Sequence, residues 1–174
     1  MVMFPGVDAL EDPKYREAVW QVKSMRAAIL KTEQLIRSIG VTSYDLEGFM
    51  KGAKMEMIDY FSNMIVCSFA TQVAIFEAYE KQGLPCDYLM GISLGDIARN
   101  ICAKIGSYEV GVTALLKFVH LVRSAEKLGV TYFMKLPEPY AQLKDALQFE
   151  AYAINISVKQ NPRFFLLAGE PQNF

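Results

Sequence analysis

Asp87-Tyr88-Leu89-Met90-Gly91-Ile92-Ser93-Leu94-Gly95-Asp96 is the stretch on which the reading of this 174-residue sequence turns. Leu84-Pro85 closes whatever helix precedes it, and the apolar run after Asp87 has the texture of a short strand buried on both faces. From Leu94 the spacing becomes helical and stays so to about Ile105, with Gly106 behind it as a stop. Gly91-Ile92-Ser93-Leu94-Gly95 therefore places a G-x-S-x-G sequence between a predicted strand and a predicted helix, the context a nucleophile elbow requires. The two glycines let the strand reverse into the helix without clashes, and Ser93 falls at the tip with its hydroxyl exposed at a helix N-terminus. The helix dipole and free N–H groups there favour a developing oxyanion, and the backbone N–H of Leu94 is one candidate donor. The plainer alternative, a serine N-cap flanked by glycines, accounts for the same residue types without chemistry.

The pattern on either side sets this turn in an α/β body. Upstream, residues 1–4 are a short apolar run stopped by Pro5-Gly6 and read as a strand entering a tight loop. Val19, Val22, Met25, Ile29, Leu35 and Ile36 recur at helical spacing over 13–38, as one long helix or two short ones. Ile65, Phe69, Val73 and Phe76 do the same over 60–82, closed by Gly83. Downstream, a helix is predicted over 107–127, with Ser107 as a plausible N-cap. The texture then shifts: 131–136 and 151–158 are β-rich, a short helix over 139–147 lies between them, and Asn161-Pro162 turns into a strand over 163–168. That β-α-β-turn-β order is the first part of a small two-layer sandwich, so the expected organisation is a body over 1–128 and a second, smaller unit over 129–174.

Composition narrows the function classes. Hydrophobic residues make up 52 % and charged residues 21 %, enough to build a core and too apolar for intrinsic disorder. Eighteen basic against nineteen acidic residues leave a net charge of -1, which supplies no footprint for nucleic acid or an anionic membrane surface. Three cysteines (Cys67, Cys86, Cys102) and one histidine cannot assemble a zinc set at the usual spacings, so no metal is expected. The odd, widely spaced cysteines fit a reduced compartment. No basic-then-apolar leader opens the sequence, and its densest apolar stretch, 64–70, is far shorter than the about 20 residues a bilayer span needs. A cytoplasmic protein with neither nucleic acid nor membrane as partner is expected.

The segment from Ala70-Thr71-Gln72-Val73 through Gly83, followed by Asp87 to Gly91-Ile92-Ser93-Leu94-Gly95-Asp96-Ile97-Ala98, resembles the acyltransferase family of fatty acid and polyketide synthesis, malonyl-CoA:acyl-carrier-protein transacylase-like. That family writes it as a helix ending in Gly, a strand, and G-H-S-x-G-E. Met3-Phe4-Pro5-Gly6 is similar to the family's opening F-P-G-Q-G loop, and Asn161-Pro162-Arg163-Phe164-Phe165 onward resembles a strand pair of its ferredoxin-like insert. The resemblance implies an α/β-hydrolase-like body with a parallel sheet plus the start of a ferredoxin-like subdomain, incomplete relative to the family. It implies no permanently bound cofactor. An acyl group held on CoA or on the phosphopantetheine of an acyl carrier protein would be taken onto Ser93 and then transferred or hydrolysed. The backbone N–H groups of Leu94 and Val7 would form the oxyanion hole, Val7 standing where the family has glutamine.

Three departures from the family pattern shape the expectation. Ile92 replaces the histidine before the nucleophile. Counted without gaps from Ser93, the arginine that grips malonyl carboxylates falls on Phe118, which is expected to be buried and to make the acyl pocket apolar with Ile92, unless the register slips to Lys117 or Arg123. The family's catalytic histidine comes after the insert, beyond the residues of this sequence, and would have to come from a second chain or a C-terminal segment. His120, turned about 200° around the helix from Phe118, reads as a structural or surface histidine, the alternative being a substitute general base. Asp96 and Arg99 read as a helix-end carboxylate and its ion-pair partner. The leading expectation is an acyltransferase for uncharged acyl groups. The alternative is a truncated or degenerate acyltransferase domain that docks a carrier protein or synthase without turnover.

Overall fold

The computed structural model describes residues 1–6, 8–124, 130–170 and 172. They divide into two compact units, Met1–Arg123 and Ser124–Phe174.

In the first unit, β1 (Val2–Phe4) is followed by a 3-10 turn at Asp8–Leu10 and by α1 (Pro13–Gln21) and α2 (Lys23–Ser38). The segment left open in the sequence as one helix or two is thus two. Asp12 caps α1 by accepting from the Lys14 N–H at 2.9 Å, with Pro13 at the first helical position. Val22 is extended (φ -78°, ψ 114°) and breaks the run, its N–H donating back to the Val19 carbonyl at 3.1 Å. α3 (Leu46–Met50), which no sequence pattern indicated, is capped by the Asp45 carboxylate, which accepts from the Gly48 N–H at 2.8 Å.

α4 (Met57–Lys81) is the core helix, its buried face carrying Ile65, Val66, Phe69 and Val73. Its 25 residues are long and apolar enough by length and composition to cross a membrane, which the count of contiguous apolar residues did not register, and 72 % of its most apolar stretch is buried. β2 (Leu89–Gly91), α5 (Gly95–Cys102) and α6 (Tyr108–Ser124) complete the unit.

β1 and β2 pair in parallel, with Val2 opposite Leu89, Met3 opposite Met90 and Phe4 opposite Gly91. A parallel pair needs a crossover, here the helices α1 to α4. One face of this small sheet is covered: Phe4 is 3 % exposed and meets the Phe76 ring of α4 at 5.7 Å. The other is not, because Met3 and Met90 are 50 % and 44 % exposed and Tyr88, just before β2, is 74 % exposed. The strand expected to be buried on both faces is therefore three residues long and covered on one. In the first unit the described residues form a two-stranded sheet with helices packed on one face, which is why Met3, Tyr88 and Met90 stay exposed.

The second unit contains β3 (Val130–Lys135), α7 (Tyr140–Leu147), a 3-10 turn at Phe149–Tyr152, β4 (Asn155–Asn161) and β5 (Phe164–Gly169). The three strands form an antiparallel sheet in the order β3-β5-β4. Its core gathers Leu136, Phe149, Ile154, Phe165 and Leu167. Residues 151–153, assigned to a strand by composition, are a turn instead, since Gln148 (φ 44°) and Ala153 (φ 52°) reverse the chain on either side of Phe149. The Phe149 ring, stacked at 6.1 Å on Tyr140, closes this core.

Candidate functional site

The site begins where β2 ends. The Ile92 N–H donates to the Phe4 carbonyl at 3.0 Å, carrying the β1–β2 ladder to the edge of the turn. The N–H groups of Gly95, Asp96 and Ile97 then donate to the carbonyls of Ile92, Ser93 and Leu94 at 2.9, 3.1 and 3.1 Å, winding the chain tight directly after the strand. The reversal between these two regimes falls on Ser93, which is exposed and holds φ +54°. A residue with a Cβ is held in this left-handed region against a cost of about 1–3 kcal/mol, and such strain clusters at sites of function.

Both flanking glycines are dictated by close approach. A Cβ on Gly91 would stand 2.5 Å from the Asp96 Cα and 2.6 Å from its nitrogen. A Cβ on Gly95 would stand 2.3 Å from the Pro5 carbonyl oxygen and 2.4 Å from that of Phe4. The start of α5 is thus pressed against the end of β1, so the turn bearing Ser93 and the Pro5-Gly6 loop form one surface. The loop is pinned from the other side by Gln72 of α4, whose Nε2 donates to the Pro5 carbonyl at 3.1 Å and to that of Gly6 at 3.4 Å. Gln72 escaped the sequence reading because a lone polar residue on an apolar helix face carries no signal of its own. Val7, the other expected oxyanion donor, lies outside the described residues.

The electrostatics follow from the helix end. α5 opens at Gly95 behind an N-cap position at Leu94, whose own N–H meets no acceptor among the described residues. Asp96 occupies the first turn, where a carboxylate suits the dipole, and pairs with Arg99 at 3.1 Å. Ile92 is 49 % exposed, an apolar neighbour to the hydroxyl. The arrangement presents a hydroxyl at the tip of a strained turn with at least one free backbone N–H beside it, which suits acylation and support of an oxyanion.

Two residues considered with this site stand elsewhere on α6. Phe118 is 37 % exposed at the margin of the stripe made by Val112, Leu115 and Val119, so the burial expected of it is not observed. Its position on the helix circle, just outside that stripe, is the reason. His120 lines a separate cavity of about 570 Å³ with Ile39, Val41, Tyr44 and Leu116, none of them part of the turn. No cysteine competes as nucleophile from the core. Burial pushes the Cys67 thiol well above its ordinary value and that of Cys102 up to about 12, so both stay protonated at neutral pH. Among the described residues no group of three or more His, Cys, Asp or Glu is placed to hold a metal ion.

No protein-family model matches the chain, and no curated protein matches its sequence. Solved structures do match. A loading acyltransferase from the avermectin modular polyketide synthase aligns with a TM-score of 0.77 at 15 % identity, over 98 % of this chain and 54 % of its own. The acyltransferase domain of the polyketide synthase PpsC of Mycobacterium tuberculosis gives 0.75 at 18 % identity, over 98 % and 50 %. An acyl carrier protein S-malonyltransferase from Vibrio cholerae O1 biovar eltor gives 0.74 at 16 %, over 98 % and 55 %. The chain thus spans about half the length of the proteins it matches. With its strained serine between β2 and α5 and its β1 loop packed against that turn, the chain has the fold of the acyltransferase domains of polyketide synthases and acyl-carrier-protein malonyltransferases, over about half of their length.

Proposed function

We propose that this chain is the serine-bearing part of an acyltransferase of polyketide or fatty acid synthesis, acting on acyl groups held as thioesters of CoA or of an acyl carrier protein in the cytoplasm. The observation that carries the reading is the geometry of Ser93: φ +54° between a parallel strand and a helix, with glycines on both sides that admit no Cβ. In the proposed reaction the Ser93 Oγ attacks the thioester carbonyl. The oxyanion is met by the Leu94 N–H, with Val7 as second donor, the C–S bond breaks, and the thiol leaves with the serine proton. A second thiol, or water, then takes the acyl group and returns the proton to Ser93. With Ile92 beside the serine and Phe118 where the resemblance places a carboxylate-binding arginine, neither position supplies a cation to meet an acyl carboxylate, which supports an uncharged acyl group.

A serine without a base is a weak nucleophile, and His120 sits in another cavity, so the base in this proposal comes from a second chain or a further segment of the protein. The chain is therefore expected to acylate slowly and in a single turnover. Incubation with acetyl-CoA and with malonyl-CoA, followed by intact and peptide mass spectrometry, is the test. An acetyl adduct on Ser93, absent from Ser93→Ala and exceeding the malonyl adduct, supports the reading. Acylation that survives Ser93→Ala, or that maps to Cys86, refutes it. Preference for malonyl-CoA refutes the uncharged acyl group alone.

A further inference from the structure

Arg16 of α1 is a buried arginine, 8 % exposed. Its guanidinium lies 4.7 Å from the centre of the Phe49 ring and 5.7 Å from that of the Tyr60 ring, and Nη1 donates to the Tyr60 hydroxyl at 3.0 Å. Nε and Nη2 donate to nothing among the described residues. The buried side-chain atoms there that are both sealed from solvent and without a partner are Thr71 Oγ1 and Gln72 Oε1, so Nε and Nη2 of Arg16 still reach open space. No described carboxylate comes within ion-pair distance of Arg16: Glu47 and Asp59, close in sequence to Phe49 and Tyr60, are held by Lys51 and Arg123, and Glu33 is held by Arg37. The ring faces return part of the cost of burying this charge, but a buried cation is ordinarily met by an anion as well.

Arg16 lines a cavity of about 410 Å³ between α1 and the end of α3, and the whole lining belongs to the first unit. Pro13, Arg16, Glu17 and Trp20 recur at the three- and four-residue spacing of one helix face, and Met50 and Lys51 supply the opposite wall. On the guanidinium, Nε–H and the neighbouring Nη2–H are parallel donors along one edge of a planar fork, the geometry that meets both oxygens of a carboxylate. Pro13, Trp20 and Met50 add apolar surface to the same cavity. Glu17 adds a negative charge that a dianion would have to face, while Lys51 is already committed to Glu47. A neutral ligand would leave the guanidinium without its counter-charge. The complement of this groove is therefore a single carboxylate on an apolar body.

We propose that this groove binds a small monocarboxylic acid with an apolar body, the carboxylate taken by Nε and Nη2 of Arg16 and the body laid against Pro13, Trp20 and Met50. A cavity of this size falls within the range of organic-ligand pockets, about 300–1,000 Å³, in which mostly apolar walls surround a few polar groups that fix orientation. A ligand held there bridges α1 and α3 and is expected to stabilise the first unit, since it binds only the folded chain. None of the lining residues belongs to β1, β2 or α5, so the proposal stands apart from acylation of Ser93.

The test uses the full chain, ¹⁵N-labelled, titrated with 3-phenylpropionate, with hexanoate, with the neutral 3-phenylpropionamide and with inorganic phosphate. Trp20, the sole tryptophan, lines the cavity, so its fluorescence reports binding directly. Expected are a saturable fluorescence change with at least one of the acids, a shift of the Arg16 Nε–H resonance with the same midpoint, and binding weakened about tenfold or more in the amide, which has no charge to offer the guanidinium. Arg16→Lys keeps the positive charge but cannot donate two parallel bonds, and is expected to weaken the acid by about tenfold while its thermal midpoint stays near that of the wild type. Should that variant fail to fold, the amide and the Nε–H resonance carry the test. No saturable change with either acid, equal binding of the amide, or unchanged binding in Arg16→Lys overturns the proposal. So does phosphate binding tighter than both acids, which would make the site one for a multiply charged anion.

Discussion

Ser93 is the residue whose backbone and chemistry pull in opposite directions. At φ +54° glycine avoids the steric cost of a Cβ, about 1–3 kcal/mol, and gives back about 0.4–1 kcal/mol through the greater freedom of the unfolded chain. Ser93→Gly is therefore expected to raise stability in urea by about 1 kcal/mol while abolishing acylation, and Ser93→Ala, which keeps a Cβ, to leave stability within about 0.5 kcal/mol. Equal stabilisation by both would locate the strain in the hydroxyl and not in the backbone. The glycines behave oppositely. Gly95→Ala puts a methyl 2.3 Å from the main chain at Pro5 and is expected to cost about 3 kcal/mol, with loss of the Ser93 adduct. Gly40→Ala, at φ +84° with open space around it, should cost only the left-handed penalty of about 1–2 kcal/mol. Urea midpoints for the pair check the order.

Between elements, α2 and α6 are joined by the Thr32 and Tyr108 hydroxyls, 2.6 Å apart, with Thr32 also donating to the Ala28 carbonyl at 2.7 Å. Burial raises the Tyr108 phenol from 10.0 to about 12 against the opposing pull of Thr32, and burial raises Cys102 on α5 from 9.0 to about 12. In both cases the folded chain keeps a proton that the unfolded chain has released. The stabilisation is thus complete below about pH 9 and is lost as the pH climbs toward 12. The urea midpoint should fall between pH 8 and pH 11, and the fall should be shallower in Tyr108→Phe and in Cys102→Ala. At pH 7 Tyr108→Phe should cost only about 0.5–1.5 kcal/mol, since Thr32 keeps its carbonyl partner. A midpoint flat with pH in the wild type would show that neither group is held neutral by the fold.

At the scale of the whole molecule, each unit has its own core, and that of the second is small. Leu167 and Phe165 are fully buried among five core residues. Leu167→Ala removes enough packing, about 2–5 kcal/mol, to unfold a core of that size. Trp20, the sole tryptophan, reports on the first unit and is 9 % exposed there. Leu167→Ala should therefore accelerate hydrogen exchange throughout β3, β4 and β5 while the tryptophan fluorescence midpoint stays at the wild-type value. A midpoint lowered in step with the exchange would show that the two units unfold together.

What could be read from the sequence was whatever a few adjacent residues decide among themselves. Gly91, Ser93 and Gly95 between an apolar run and a helical spacing place the strand, the turn and the helix, because close approach and backbone angle are local demands. The 3.6-residue spacing of Ile65, Phe69, Val73 and Phe76 finds α4 for the same reason, and the β-α-β-turn-β order of the second unit follows from its turn residues. α3 was invisible, since five residues make no period and its start depends on Asp45, itself held by Asn63 from α4 at 2.9 Å. The exposure of Tyr88, Met90 and Phe118 was equally out of reach. Their apolarity is in the sequence, but whether a face is covered depends on which other elements arrive there. The same holds for Gln72 beneath the Pro5-Gly6 loop and for His120 in a cavity apart from Ser93. Backbone conformation at a turn is settled by neighbours along the chain, whereas burial, and the meeting of one functional group with another, is settled by residues far away in it.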